Sequence, residues 1–456
     1  MSLSASKADL ATSQSVLEIF DDIATHANLL SWLDSKRDAD IEPSARPLTA
    51  NFFGVVKTLL FCIVMVADAV MAHAVYTLSS NSAASAPSYP PTPAPSPHAT
   101  LCLTLLRTLA RLAPAKATFP ELARALYAAL DVIAADDRGA ASILVLDIAS
   151  PASNSFNRAS SSIGVARNSS DSASAPLPPG FKDAPPPASP SRTAFSLTII
   201  EQLVPVLTLR AVEAAWGFVA QHLSDPSSRQ VYEAAHSAAL ALFDAFAPGE
   251  GDKDKEEKAA QTGFVARLVP YYAQCLIENS APSHLNLAQL RHAYAMVMRC
   301  AGAHDDALAM YCVQRLLDAL HEDTIGAHEA THEAHHGTET IADSTPHKQR
   351  LRLTLASTVS CVPVSLLPRV LDKLKSLATE REEEQMDGAD PFTLEERVAL
   401  RDAIFEEITE RVGNTAKEYA VRWWYANRGV FPPLEVKGRE AEGEAQDKEG
   451  KPLAQL

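Results

Sequence analysis

Aromatic residues make up only 6% of this chain, and glycine supplies just 17 of its 456 residues. Few aromatics and few β-branched runs leave little from which to build a sheet. Scarce glycine withholds the turns that a many-stranded fold consumes. Six cysteines occur, Cys62, Cys102, Cys275, Cys300, Cys312 and Cys361, with no CxxC pair among them. With the mostly apolar neighbours, that reads as reduced, buried thiols of an intracellular compartment. No GxGxxG, P-loop or GxSxG pattern is present, so the linear signatures of dinucleotide, nucleotide and α/β-hydrolase chemistry are missing. No basic segment precedes the first apolar stretch, as a secretory signal would require. Positive charge is in deficit: Lys and Arg number 40 against 56 Asp and Glu, for a net charge of −16. Such a surface repels phosphate backbones, so nucleic acid is not expected as a partner.

A long uncharged apolar run is also lacking. The most apolar stretch, Phe52 to Leu78, has its uncharged centre confined to Thr58–Ala67, between Lys57 and Asp68. A membrane span needs roughly 20 apolar residues, and a mid-span Asp68 would cost about 2.5–3.5 kcal/mol. A buried core helix is the expectation, with peripheral contact to a membrane surface left open.

What the chain does have is leucine and alanine at helical spacing. Both enter helices at little cost. Val16, Phe20, Ile23, Ala27 and Leu30 recur on one face; so do Leu122, Leu126, Ala129, Leu130 and Ile133, and again Leu287, Leu290, Tyr294 and Val297. Gly302 reads as a turn and Asp305 as the N-cap of a second helix carrying Ala309, Val313, Leu316, Leu317 and Leu320. Val364 to Ala378 repeats the theme, and Thr393 with Glu396 spells a capping box before a helix ending near Gly413. Successive amphipathic helices with short turns predict an all-α fold: an irregular α-solenoid-like stack of helical hairpins, similar to HEAT or armadillo stacks, with disordered insertions.

Composition sets the boundaries. Residues 1–78 read as N-terminal helices, 79–98 as a Ser/Pro linker, 99–150 as a helical segment and 151–192 as a second Ser/Pro insertion. Residues 193–320 read as helical hairpins, 321–349 as a His/Glu-rich low-complexity loop, 350–430 as C-terminal helices and 431–456 as a charged tail. The linkers and the tail are too polar or proline-rich to offset the entropy of ordering them.

Three motifs carry the candidate sites. His328-Glu329-Ala330-Thr331-His332 and His332-Glu333-Ala334-His335-His336 each spell HExxH. On a helix, His328, His332 and His336 would share a face and could grip zinc while a glutamate activates water. The tract is almost devoid of apolar residues, however, and lacks the downstream Gly and His of metzincins, so it reads as a solvated insertion. No catalytic residue and no cofactor are assigned. Arg422-Trp423-Trp424-Tyr425 is a dense aromatic cluster in an aromatic-poor chain. Neighbouring helical residues diverge, so one indole would pack inside while the other covers a seam or anchors a partner. The final Ala454-Gln455-Leu456 resembles a type-1 peroxisomal targeting tripeptide, with Gln455 where a basic residue is usual.

The segment from Phe119 to Asp131 resembles fungal peroxin 8. So do Arg352-Leu353-Thr354-Leu355 with Leu366-Leu367-Pro368-Arg369-Val370-Leu371, and Glu406 to Tyr425 with its Arg-Trp-Trp-Tyr. The resemblance implies a non-enzymatic peripheral protein on the matrix side of the peroxisomal membrane. Its implied partners are the import receptor and the docking and RING-finger peroxins, with a part in cargo release. The residues read on their own also fit a cytosolic α-solenoid adaptor, and the HExxH tract a zinc hydrolase.

Overall fold

The computed structural model describes residues 11–22, 55, 58, 61–73, 95–111, 113, 120–136, 139–150, 190–246, 255–326, 345–379 and 392–432. All regular structure among them is helical, as the apolar spacing predicts. In chain order the helices are α1 (11–22), α2 (61–73), α3 (Pro97–Arg111), α4 (Pro120–Ala134), α5 (Ala140–Ala149), α6 (Pro190–Leu203), α7 (Leu209–Ala220) and α8 (Arg229–Ala245). They continue as α9 (Lys255–Glu278), α10 (Leu287–His304), α11 (Asp306–Gly326), α12 (His347–Ser357), α13 (Leu367–Thr379), α14 (Leu394–Glu406) and α15 (Asn414–Asn427). The chain divides into two compact units, 1–268 and 269–456. The division falls inside α9 beside Pro270, a residue that cannot donate to the helical ladder.

In the first unit, α3 packs on α4, α5 on α7, and α6 on α8. The predicted face of α4 is buried at Leu122, Leu126, Ala129, Leu130 and Ile133. On α1 the fully buried residue is Leu17, one position on from the Val16 of the sequence pattern. Polar ties cross between elements. Asp21 pairs with Arg111 at 2.6 Å, and Thr108 donates to the same carboxylate. Asp68, the charge that interrupts the apolar run, receives both nitrogens of the Arg124 fork at 2.9 Å. The other face of α2 buries Ile63, Val64, Ala67 and Met71. Among the described residues no helix is long and apolar enough to cross a membrane.

In the second unit, α10 packs on α11 and α12, and α12 on α14. Leu290, Tyr294 and Val297 of α10 are buried, as are Ala309, Val313, Leu316, Leu317 and Leu320 of α11. The capping box at Thr393 and Glu396 is formed, and a second one, Asn286 with Gln289, opens α10. Two details correct the sequence reading. The helix at Val364 starts only at Leu367, after the turn through Pro363. Gly302 is not a turn: α10 runs through it to His304, and the break falls at Asp305, whose side chain accepts from the Ala307 amide. Gly302 is needed for close packing instead, since a Cβ there would lie 2.7 Å from Pro363 Cδ. Gly302→Ala should therefore cost about 1–3 kcal/mol by overpacking, despite the better helix propensity of alanine. A denaturation midpoint that stays put or rises would remove this explanation.

The described cysteines are free thiols. Burial pushes Cys102 and Cys312 up to about 12 and Cys300 up to about 11, so these three are poor nucleophiles at neutral pH. Cys62 is exposed and Cys361 half-buried, so the expectation of buried thiols fails at these two.

Candidate functional site

The aromatic cluster lies on α15, whose core side is held by three aromatic contacts. After α15 the chain makes a short 3-10 turn, Arg428–Val430, and returns Phe431 to the helix. Trp424 stacks on Phe431 with centroids 5.4 Å apart and meets Phe405 of α14 at 5.3 Å. Trp423 approaches the Phe431 ring edge-on at 6.5 Å, and its indole N–H donates to Asp372 of α13 at 3.2 Å. Phe431 thus contacts both indoles, and both are buried, Trp423 at 7% and Trp424 at 5% exposure. Divergent neighbours both find cover because the returning chain supplies an extra ring. Tyr425 points the other way and is 64% exposed, with the Arg428 guanidinium over its ring at 5.4 Å. Arg422 is also exposed and pairs with Glu418 at 2.6 Å. Of the four candidate contact residues, Arg422 and Tyr425 are those a partner could reach.

Under this surface α14 gives way to a π-helical turn, Glu407–Arg411. Such wide turns are rare and short. This one carries Glu407, fully buried, with Arg411 at 2.8 Å and Arg291 of α10 at 3.5 Å. Burial holds the Glu407 carboxyl above the usual glutamate range, against the downward pull of a Ser360 hydrogen bond and the two arginines. The second oxygen, Oε2, has no hydrogen-bond partner among the described residues. The carboxylate thus ties α10 to the turn that ends α14.

A second polar knot lies at the α9–α10 connection. Arg350 of α12 is fully buried; its Nε donates to the Ser280 carbonyl at 2.8 Å and its Nη2 to the Leu285 carbonyl. The Ser280 hydroxyl lies 2.5 Å from His347 Nε2. Neither Arg350 nor Glu407 stood out in the sequence, because a lone charge on an amphipathic helix is ordinarily solvated. The HExxH residues His328, His332 and His336 and the terminal Ala454, Gln455 and Leu456 lie outside the described residues. Among the described residues no group of three or more His, Cys, Asp or Glu is placed to hold a metal.

The architecture defines a helical repeat protein with a buried polar frame. The family model of the PEX8 central TPR-like domain matches residues 166–244, a stretch that takes in α6, α7 and most of α8. The match supports a peroxin 8 family assignment over that stretch. The peroxin 8 family implies a role in peroxisomal protein import and association with peroxisomes, and its members are, in general, non-catalytic import factors. No match to a curated protein or to a solved structure was found.

Proposed function

We propose that the chain is a non-enzymatic adaptor of peroxisomal matrix protein import, acting peripherally on the matrix side of the membrane. In this reading it joins the docking and RING-finger complexes, engages the import receptor and assists release of cargo. The observation that carries the proposal is the TPR-like match over residues 166–244. The helical stack is consistent with it, because stacked helices present extended surfaces for protein partners.

Delivery to the matrix side would use the Ala454-Gln455-Leu456 ending. A type-1 receptor holds the terminal carboxylate and buries the last side chain in an apolar pocket. A buried leucine contributes roughly 1.5–3 kcal/mol, so Leu456→Asp should weaken receptor binding at least about tenfold. Gln455→Lys should strengthen it by restoring the usual positive charge. The test is imaging of an N-terminally tagged full chain, with and without its last three residues, alongside a matrix import reporter. Punctate signal that coincides with peroxisomes and disperses on truncation supports targeting by the tail. Diffuse signal from the intact chain, with the reporter imported normally in its absence, would sink the import reading in favour of the cytosolic adaptor.

A further inference from the structure

Helix α1 lies against α3 with its other side open. Leu17 is its one buried residue, at 0% exposure, whereas Ser15, Glu18, Ile19 and Asp22 are exposed, Ile19 at 58%. Three residues of α1 at helical spacing, Gln14, Leu17 and Asp21, share the face toward α3. Gln14 Nε2 donates to Thr104 Oγ1 at 3.2 Å. Arg111 Nη1 lies 2.6 Å from the Asp21 carboxylate and donates to the Asp21 carbonyl at 3.0 Å. The Thr108 hydroxyl lies 3.3 Å from the same carboxylate. On α3, Thr104, Thr108 and Arg111 recur four and three positions apart and so form one stripe. With α1 in place Thr108 is fully buried and Arg111 is 7% exposed.

Nothing local holds α1 there. Its partners on α3 lie 87 to 90 positions away, and residues 23–54 stand between α1 and the next described part of the chain. A helix of 12 residues is at the lower limit for standing alone in water, so α1 owes its helicity to this seam. One buried leucine, a few polar ties and a solvated outer side are the marks of an element that opens without unfolding the rest. Its departure would strip Arg111 of both Asp21 acceptors and leave a cation in the floor of the vacated stripe. Such a cation favours a replacement that brings a carboxylate.

We infer that α1 is a displaceable strap over a helix-binding stripe of α3. The partner it yields to is an amphipathic helix of the same pattern: a carboxamide, an apolar residue three positions on and a carboxylate four further. In the closed state α1 fills the stripe in cis. The incoming helix sets its apolar residue where Leu17 sat and its carboxylate on Arg111. This is recognition of a helix through i, i+3 and i+7 anchors, and the buried cation discriminates against helices that lack the acid. The inference goes beyond the adaptor reading and stands on the α1–α3 seam alone.

Two measurements on the full chain test it. In the unmodified protein, hydrogen exchange at residues 15–22 should be at least about tenfold faster than in α3 and α4. Protection of α1 equal to that of α3 would make it part of the core and overturn the inference. The second measurement is fluorescence anisotropy of a fluorescein-labelled peptide spanning residues 9–24. Leu17→Asp with Asp21→Arg in the full chain should open the strap, and this variant should bind the peptide at least about tenfold more tightly than the unmodified chain, whose own α1 competes. An Asp21→Asn peptide should bind the opened variant at least about tenfold more weakly than the parent peptide. The opened variant should keep its cooperative unfolding and lose only a small part of its helical circular dichroism. Loss of that cooperativity, failure of the folded variant to bind the peptide, or equal binding by the unmodified chain each overturns the inference. Since neither readout depends on targeting, failure here leaves the localisation result untouched.

Discussion

Arg350→Met is expected to destabilise the second unit by about 2–6 kcal/mol, although methionine fits a buried helical site of similar length. The side chain is fully buried and donates to two main-chain carbonyls, Ser280 and Leu285, at either end of the connection from α9 to α10. Methionine offers no donor, so both acceptors lose a charged partner inside the protein. Each such loss costs about 1–3 kcal/mol. Arg350→Lys should rescue only in part, since a single ammonium on a shorter reach cannot repeat the spread of the guanidinium. Urea denaturation followed by circular dichroism gives the magnitude. Hydrogen exchange supplies the location: amides of residues 279–290 should lose protection before those of α13. If Arg350→Met unfolds at the parental urea concentration, the two carbonyl contacts contribute nothing net and the knot is incidental.

The two features that frame the second unit show where sequence reasoning stops. Apolar spacing located the buried faces of α4 and α11 residue by residue, because a helix repeats the same environment every three to four positions. The Thr393 capping box was equally legible, being a contact between residues three apart. The Asn286–Gln289 box obeys the same rule and was readable from the same signal. Arg350 and Glu407 were not, because their burial depends on what packs above them. For Glu407 that includes Arg291, 116 positions away in the chain. The same holds at α15. Adjacency argued that one indole would pack inside while the other covered a seam or anchored a partner; both are buried, because the returning Phe431 contacts each of them. Gly302 misled for a related reason: glycine spells a helix end locally, and its real role is a close approach to Pro363 far along the chain. The exposed Arg369 was visible as a residue, but its juxtaposition with Met310 and Tyr311 is a product of folding.

Acid should weaken the first unit by about 3 kcal/mol through His236 alone. This histidine of α8 is 4% exposed, packs edge-on against Tyr232 at 4.6 Å and donates from Nε2 to the Leu223 carbonyl at 3.2 Å. Burial drops its pKa from 6.5 to about 4, with Arg229 adding to the fall and the Leu223 carbonyl opposing it. The unfolded chain therefore takes up a proton between pH 6.5 and 4 that the folded unit refuses. Stability from the neutral ring is present above pH 6.5 and is lost as pH falls toward 4, at about 1.4 kcal/mol per unit of pKa difference. His98 and His222, both in the same unit and lowered chiefly by burial, push in the same direction. Glu407 in the second unit has the opposite sign: its raised carboxyl favours the folded form at low pH and gives up that stability as pH rises through the folded value. His236→Gln, which keeps a donor near the Nε2 position but cannot titrate, should flatten the pH dependence of the first unit between 6.5 and 4. Equilibrium unfolding at half-unit pH steps, followed by hydrogen exchange of the amides of α7 and α8, reads that unit specifically. A parental slope that persists in the glutamine variant would mean that other groups, and not the imidazole held between Tyr232 and Leu223, set its acid sensitivity.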